Sequence, residues 1–382
     1  MNFLIAPNAL KGSLSALRAA NTISQSLKGI APDVAIVLCP IADGGDGTLE
    51  CLVQATGGKV FKANVRGPVS SLRVNARWGV LGDGATAVIE MAEAAGLRLL
   101  SRTQYDIANA TTYGVGELIL QALKSGPKKI IVGLGGSATN DGGAGCAKAL
   151  GVRFFDEHDK ELPEGGIHLA RLHYLEIKNY ELGIKNVELI GLADVTNILY
   201  GPHGAAYTFA EQKGATSGQI RQLDEGLKHY ASIIERDLHR DVSHTPGSGA
   251  AGGLGAGLIA FCNARILSGI DFVLDTVRFD SLLQQCDCVI TAEGMIDSQT
   301  LRGKGIEGVA RRARKFKKPV HAFVGRIHGD AMVLQKKLGL ATLHQISPDE
   351  MPFEDAMRRA GSFLAVSVRD FFTSNFTRET KK

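Results

Sequence analysis

The sequence predicts an α/β protein: a Rossmann-like, doubly wound parallel sheet with an inserted second domain of mixed α/β structure. Three observations predict it. Short apolar runs alternate with amphipathic helical stretches, glycine-rich loops follow most of these runs, and 46 of the 382 residues are glycine, against a usual level of about 7%. Strand, loop and helix at this spacing are typical of parallel strands joined by crossover helices. We therefore expect the excess glycines in loops, where the backbone comes close to another group or adopts a positive φ.

The first domain is assembled from both ends of the chain and part of its middle. Apolar runs predict strands at 2–6, 34–38, 129–134, 288–292, 320–324 and 340–345. Apolar periodicity predicts helices at 13–28, with Ser13 as N-cap, at 48–56 and at 353–372. We therefore assign residues 1–65, 105–150 and 271–382 to the Rossmann-like domain.

Two stretches do not fit this alternation. Residues 72–80 and 85–91 flank the turn signal Gly82-Asp83-Gly84 and predict an antiparallel hairpin. The stretch after residue 150 holds a polar loop, a strand at 187–192 and a long helix near 216–239. We assign residues 66–104 and 151–270 to the inserted domain.

Composition excludes several classes of function. The formal net charge is only +4, from 43 basic and 39 acidic residues, which does not predict nucleic-acid binding. No window of about 18 apolar residues predicts a membrane span, and the opening residues predict a strand rather than a signal peptide. The six cysteines are scattered without metal-ligand spacing, which indicates reduced thiols in a cytoplasmic protein.

Ligands of parallel sheets bind at the carboxyl ends of the strands, where six loops carry polar residues. In the first loop, Lys11 stands where a helix begins, which favours an anion, although a simple capped helix explains it equally well. In the second, Asp43 and Asp46 suit Mg²⁺ or substrate hydroxyls, although Asp-Gly turns are also common in purely structural roles.

The third loop, residues 133–143, is the strongest candidate. Its sequence GLGGSATNDGG directly follows a predicted strand, and such a loop lets backbone amides approach phosphate oxygens. It is neither a Walker A loop, since GxxxxGK[ST] is absent from the chain, nor the GxGxxG turn of dinucleotide-binding folds. The fourth to sixth loops add further glycines and acids: Asp194, Asn197, Gly249, Gly252, Glu293 and Asp297.

Phosphoryl transfer fits these loops better than hydrolysis does. The chain has no Gly-x-Ser-x-Gly elbow, and its ten histidines form no HxH or HxxxH pair, so α/β-hydrolases and zinc hydrolases are disfavoured. Phosphoryl transfer needs a divalent cation, donors around the phosphates and a carboxylate near the acceptor hydroxyl.

Six motifs in sequence order together resemble the bacterial glycerate kinase family, of the glycerate 2-kinase type. They are APNALKGSLSA, PIADGGDGT, GLGGSATNDGGAG, the run from ADVTN to EQKGAT, GSGAAGGLGAGL and EGMIDSQTLRGKG. The resemblance spans residues 3 to 330. It implies ATP-dependent phosphorylation of D-glycerate on the 2-hydroxyl with Mg²⁺, in a cleft between two α/β domains.

The resemblance and the loop positions together predict a role for each candidate residue. The predicted catalytic residues are Asp194, as general base, with Lys11 and Asp297. Those expected to bind nucleotide or phosphate are Gly135, Gly136, Ser137, Thr139, Asn140, Asp141, Gly249 and Gly252. Those expected to bind glycerate are Asp43, Asp46, Asn197 and Arg326. Those expected to bind the metal are Asp141 and Glu293.

Three departures from the family pattern bear on substrate binding. Met295 stands where the family commonly has arginine, Ala292 where glycine is usual, and Ala210-Glu211 where Gly-Pro is frequent. Arg326 is the predicted substitute for the missing cation near residue 295. Lys11 is expected to bind either the glycerate carboxylate or the transferred phosphate.

Three alternatives stay open at this point. They are a non-catalytic ligand-binding relative, a nicotinamide-dependent oxidoreductase, and a kinase of another small hydroxy acid. The residues leave the product, 2- or 3-phosphoglycerate, undecided. They also leave the oligomeric state open, with a homodimer as one option.

Overall fold

The computed structural model describes residues 1–177, 184, 186–297, 300 and 305–379. The strands of this part of the chain are β1 (Asn2–Ile5), β2 (Ala35–Leu38), β3 (Lys59–Arg66), β4 (Arg73–Val80), β5 (Thr86–Glu90), β6 (Lys129–Gly133), β7 (Arg153–Phe155), β8 (Tyr174–Glu176), β9 (Glu188–Ala193), β10 (Arg265–Ser268), β11 (Cys288–Ile296), β12 (Val320–Ile327) and β13 (Thr342–Gln345).

The α-helices alternate with these strands through much of the chain. They are α1 (Ala16–Lys28), α2 (Thr48–Thr56), α3 (Ala92–Ala95), α4 (Tyr113–Leu123), α5 (Ala144–Ala149), α6 (Ala205–Phe209), α7 (Ser217–Leu238), α8 (Ala250–Cys262), α9 (Gly269–Thr276), α10 (Phe279–Gln285), α11 (Gly305–Lys315), α12 (Ala331–Leu338) and α13 (Phe353–Glu379). No helix of the described residues is long and apolar enough to cross a membrane.

The chain forms two compact units. Unit 1 contains Met1–Asp43, Glu50–Ala55 and the described residues from Ile270 onward, and unit 2 contains Gly44–Leu49 and Thr56–Gly269. Residues 105–150, assigned above to the Rossmann-like domain, lie in unit 2 instead. The reason is strand pairing: β6 is hydrogen-bonded in parallel to β5 on one side and to β9 on the other, inside the sheet of unit 2.

Unit 1 is a five-stranded, fully parallel sheet in the order β13-β12-β11-β1-β2. Phe3 and Ile5 of β1 are buried on one face, where they join a core with α1 and α13. Leu4 is buried too and points to the opposite face, and α10 and α11 also contact the sheet. The doubly wound α/β class predicted from the sequence is confirmed.

Three boundaries in unit 1 differ from the prediction. The N-cap of α1 is Ser15, whose side chain accepts from the Arg18 amide, while the Ser13 hydroxyl donates to the Leu10 carbonyl. β11 and β12 each run several residues further than their apolar cores. Glu293 and Arg326 therefore lie within strands rather than in the loops after them, because parallel pairing continues to the end of both strands.

Unit 2 holds a six-stranded mixed sheet in the order β10-β9-β6-β5-β4-β3. β5, β6, β9 and β10 are parallel, whereas β3, β4 and β5 pair antiparallel, as the turn signal at Gly82-Asp83-Gly84 predicts. The long helix α7 begins at the capping residue Thr216, whose hydroxyl accepts from the Gln219 amide. β7 and β8 form a separate two-stranded ribbon.

Truncating Leu364 to alanine tests the packing of α13 onto the sheet of unit 1. Leu364 is 0% exposed within the core that contains Phe3, and Val366 on the same helix is 50% exposed. A buried leucine-to-alanine change removes apolar contacts and leaves a cavity, so we expect Leu364→Ala to lower the free energy of unfolding by about 2–5 kcal/mol. Urea unfolding followed by circular dichroism measures this, with Val366→Ala as the control. Equal midpoints for the two variants would contradict the packing.

Candidate active site

Four of the six predicted loops meet at the carboxyl ends of the parallel strands of unit 2. Backbone hydrogen bonds join them in a series: Gly135 N to Gly44 O at 3.1 Å, Gly142 N to Gly252 O at 3.0 Å, and Gly249 N to Asn197 O at 3.0 Å. The loops that contain Asp46, Asp141, Asp194 and Gly252 are thus contiguous within this unit. A polar site of several loops follows from this arrangement.

The glycines of these loops are needed first for the contact between one loop and the next. A Cβ on Gly252 would lie 2.0 Å from the carbonyl oxygen of Thr139, and one on Gly135 would lie 2.4 Å from Cα of Gly45. Gly252 also has a φ of +67°, and the backbone of α8 leaves helical geometry there. The excess glycine therefore reflects backbone packed against backbone, in addition to any approach of a ligand.

Asp141, predicted to bind phosphate or metal, has a structural role instead. It is fully buried, and its Oδ2 accepts from the Thr112 amide, the Thr112 hydroxyl and the Gly145 amide, while Oδ1 accepts from the Gly143 amide. Burial raises the pKa of this carboxyl, and the hydrogen bonds act in the opposite direction. Because both oxygens are already engaged, we no longer assign Asp141 to a metal or a phosphate.

Lys213 is a buried lysine that the sequence reasoning did not select. Its side chain is 3% exposed, and Nζ donates to Oγ of Ser137 at 2.7 Å and to the carbonyl oxygen of Thr139 at 2.8 Å. Burial lowers the pKa of Lys213 to about 7. It lies in the EQKGAT motif, but a lysine in a short polar run gives no sign of burial. Lys213 holds the turn that carries the predicted phosphate-binding hydroxyls.

Next to that turn, buried polar atoms lack hydrogen-bond partners within the described part of the chain. Both Nδ2 and Oδ1 of the fully buried Asn140 are in this state, and so is Oγ of Ser248. A buried polar group without a partner costs roughly 1–3 kcal/mol. These atoms lie within the contiguous loops of this unit and make it the candidate site for a polar ligand.

A charged network lies at the start of α2. The buried carboxylate of Glu90, at the end of β5, accepts from the amides of Gly47 at 3.0 Å and Leu49 at 2.7 Å. Burial raises the pKa of Glu90 to about 7. Oδ1 of Asp46 lies 3.4 Å from Nε of Arg98 and makes no hydrogen bond within the described residues. Glu90 could have been selected from the sequence in the same way as Asp194, because both are acids at the end of a strand.

Asp194 and Asn197 follow β9 as predicted. Asp194 is half-buried directly after the strand. Nδ2 of Asn197 donates to the His203 carbonyl at 2.8 Å and to the Thr208 hydroxyl at 3.2 Å. The amide hydrogens of Asn197 are therefore used within the protein.

The remaining predicted residues belong to unit 1. Lys11, Glu293 and Arg326 line one cavity of about 230 Å³ at the carboxyl ends of its strands. Arg326 is the register partner of Met295, so a cation does stand beside position 295 as the sequence analysis expects. Asp43 is buried and accepts from Nδ2 of Asn8 at 3.1 Å.

Two acids of unit 1 act at least partly as caps. Asp297 accepts from the amide and the hydroxyl of Thr300, and Oε2 of Glu293 accepts from the Ile306 amide at the start of α11. The rest of the sixth motif, residues 298–299 and 301–304, lies outside the described residues.

The fold and the loops define a class of protein before any comparison is made. A parallel sheet with a cavity at its strand ends, and a mixed sheet with contiguous polar loops, are typical of α/β enzymes that act on small polar substrates. The model of the glycerate kinase family matches residues 3–374. The chain belongs to the glycerate kinase family.

Individual relatives agree with this assignment. The chain is 42% identical to a glycerate kinase of Bacillus subtilis (strain 168), with 98% of this chain and 97% of the relative covered. It is 43% identical to a glycerate 2-kinase of Escherichia coli (strain K12), with 94% of each covered. A crystal structure of a candidate glycerate kinase 2 from Salmonella typhimurium LT2 superposes with a TM-score of 0.83 at 41% identity, covering 100% of this chain and 99% of that one. The resemblance carried by the six motifs is confirmed, so we do not pursue the oxidoreductase alternative.

Replacing Lys213 with methionine tests whether the amine is buried as described. With a pKa of about 7 in the folded protein and an ordinary value of 10.5, the unfolded chain binds more protons between these two pH values. The contribution of Lys213 to the free energy of unfolding therefore rises with pH across this window. We expect the difference in unfolding free energy, wild type minus Lys213→Met, to increase by about 2 kcal/mol from pH 7 to pH 9.

Urea unfolding at pH 7, 8 and 9 provides this measurement. Lys124→Met, at an exposed lysine, serves as the control whose difference from wild type stays constant with pH. A constant difference for Lys213→Met as well would show that Nζ stays charged in the folded protein.

Proposed function

We propose that this protein transfers the γ-phosphate of ATP to the 2-hydroxyl of D-glycerate, giving 2-phosphoglycerate. Membership of a kinase family implies ATP as the phosphoryl donor. The observation that carries the proposal is the buried amide of Asn140, which has no hydrogen bond within the described residues, beside a turn held by Lys213. A ligand rich in oxygen acceptors and negative charge, such as a phosphate, complements the Nδ2 donor of Asn140 and the amine of Lys213.

The third loop supplies the groups for phosphate. The backbone of Gly135 and Gly136 and the hydroxyls of Ser137 and Thr139 are the proposed donors. Nζ of Lys213 donates to Oγ of Ser137, and Oγ1 of Thr139 lies 3.5 Å from the Ala251 carbonyl, so both hydroxyls are held in position. Donors held in place before the ligand binds lose little freedom on binding, which favours tight binding of the phosphates.

Magnesium is proposed as part of the nucleotide complex. No group of three acidic, histidine or cysteine residues among the described residues forms a metal cage, and Mg²⁺ in kinases is commonly held by one or two carboxylates plus substrate phosphates. Asp46 fits such a role, since its Oδ1 makes no hydrogen bond within the described residues and lies 3.4 Å from Nε of Arg98; Glu293 stays a second candidate. When bound, the ion neutralises phosphate charge. Asp141 is excluded by its four donors.

Asp194 is the proposed general base. A carboxylate at a strand end, half-buried and beside the phosphate loops of the same unit, suits a group that orients an acceptor hydroxyl and accepts its proton. Asp297, whose carboxylate accepts two hydrogen bonds from Thr300, stays the runner-up for this role. Asp43, Asp46 and Asn197 stay predictions for the binding of glycerate, and Gly249 and Gly252 for the nucleotide.

Incubating the protein with ATP, Mg²⁺ and D-glycerate and identifying the product by NMR tests the function. We expect 2-phosphoglycerate with stoichiometric ADP, and loss of turnover when EDTA removes the metal. A panel with L-glycerate, lactate and tartrate distinguishes glycerate from other hydroxy acids. ATP binding without turnover of any acid would favour the non-catalytic alternative and contradict the proposal.

Replacing Asp194 with asparagine tests the proposed base. The amide keeps the size of the side chain and cannot accept a proton, so we expect kcat to fall by about 10²–10⁴-fold while the affinity for ATP stays within twofold. Steady-state kinetics and ATP titration of the same preparation provide both numbers. Asp33→Asn, at an exposed position in unit 1, is the control. A near-normal kcat for Asp194→Asn would remove Asp194 from this role.

Two broader expectations stay predictions. One is that all six loops share a common gap, and the other is that the protein is a cytoplasmic homodimer. Light scattering of the purified protein measures the oligomeric state directly.

A further inference from the structure

We propose that the cavity of unit 1 binds the purine base of the nucleotide donor. This inference rests on the proposed function, because it assigns one part of ATP to one place in the molecule. The residues predicted from the sequence to bind the nucleotide all belong to the phosphate-binding loops, and none was predicted to bind the base. The position of the cavity, the chemistry of its walls and its size support this assignment.

The cavity lies at the topological switch point of unit 1. Numbered from β2, the sheet order is β2-β1-β11-β12-β13, which is the 2-1-3-4-5 order of flavodoxin-like sheets. In such sheets, ligands bind outside the carboxyl ends of the strands at the point where the order reverses, here between β1 and β11. Leu10 and Lys11, which follow β1, and Met295 of β11 line the cavity on the two sides of this point.

One part of the cavity wall is apolar and does not suit glycerate, while Lys11, Glu293 and Arg326 line the rest. Ile346, Phe353 and Met357 join Met295 in a largely apolar lining. Met295 is 44% exposed and Phe353 is 61% exposed, which is unusual for large apolar side chains and indicates that a ligand covers them. A three-carbon acid carries an oxygen on every carbon, whereas a purine has two apolar ring faces. Methionine sulfur also packs well against aromatic rings.

Arg326 provides a directed polar group on the same wall. Its Nη2 donates to the Met351 carbonyl, while Nε is buried and has no hydrogen bond within the described residues. Arg326 also lines the cavity, and a guanidinium plane stacks well on the face of an aromatic base. The volume of about 230 Å³ is below the roughly 300–1,000 Å³ of pockets that enclose drug-sized ligands, which suits a base better than a whole nucleotide.

This assignment changes the role expected for Arg326. The sequence analysis placed Arg326 with the glycerate-binding residues, as a substitute for a missing cation near Met295. The cavity places Arg326 with the nucleotide, and it favours a phosphate over the glycerate carboxylate for Lys11. Arg326→Ala is therefore expected to raise KM for ATP while KM for glycerate stays within twofold.

Filling the cavity from α13 tests the proposal. Ala356 is a buried residue of the lining, and Val366 on the same helix is exposed outside it. We expect Ala356→Phe to weaken the binding of adenosine and of ATP by at least tenfold, measured by calorimetry, and Val366→Phe to leave both unchanged. Adenosine carries no phosphate and takes part in no transfer, so its affinity reports on the base alone, even if the protein phosphorylates no glycerate.

Photolabelling of the unsubstituted protein gives a second measurement that does not depend on the folding of a variant. Irradiation with 8-azido-ATP followed by trypsin is expected to label peptide 338–358, which contains Ile346, Phe353 and Met357. Excess adenosine is expected to prevent the labelling. Labelling confined to peptide 130–148, which carries the third loop, or adenosine affinity unchanged in a folded Ala356→Phe variant, would overturn the proposal. Either result is compatible with an active glycerate kinase, so the two proposals fail separately.

Discussion

The buried carboxylate of Asp141 is the interaction on which the polar edge of unit 2 depends. Its two oxygens accept hydrogen bonds from the amide and hydroxyl of Thr112, at the start of α4. They also accept from the amides of Gly143 and Gly145, at the start of α5. The starts of two helices are thus joined at one residue beyond the end of β6. Removing one partner of a buried charge is costly, so this arrangement is strongly determined. With the loop fixed at Asp141, the preceding residues 135–140 have little freedom left, and their donors are held ready for a ligand.

That constraint explains why glycine is so frequent in these loops. Once residues 139–142 are anchored, the neighbouring chain must pass against their backbone, and at Gly252 a Cβ would lie 2.0 Å from the Thr139 oxygen. The same close packing encloses Lys213, and burial is what lowers its pKa. Loop composition, loop contact and the electrostatics of the turn thus have one cause, the burial of polar backbone at the strand ends.

Patterns of local origin were predictable from the sequence. Apolar runs located the strand cores, the Gly82-Asp83-Gly84 signal identified the antiparallel hairpin, and loop motifs identified the family. Properties that depend on distant residues were not predictable in this way. β6 joined the other unit because its neighbours, β5 and β9, lie elsewhere in the chain. The burial of Lys213 and the role of Asp141 likewise depend on residues about 30 to 75 positions away.

The two units also differ in the chemistry of their candidate binding sites. In unit 2, buried polar atoms of Asn140 and Ser248 have no hydrogen bond within the described residues, while the cavity of unit 1 is partly apolar and is also lined by Lys11, Glu293 and Arg326. Proteins recognise a phosphate mainly through many hydrogen bonds, with little apolar surface buried. They recognise a base mainly through buried apolar surface, with few hydrogen bonds. The apolar part of the unit 1 cavity therefore has the chemistry proposed for the base. On this view Met295 extends the apolar wall for the base, with Arg326 beside it providing the positive charge.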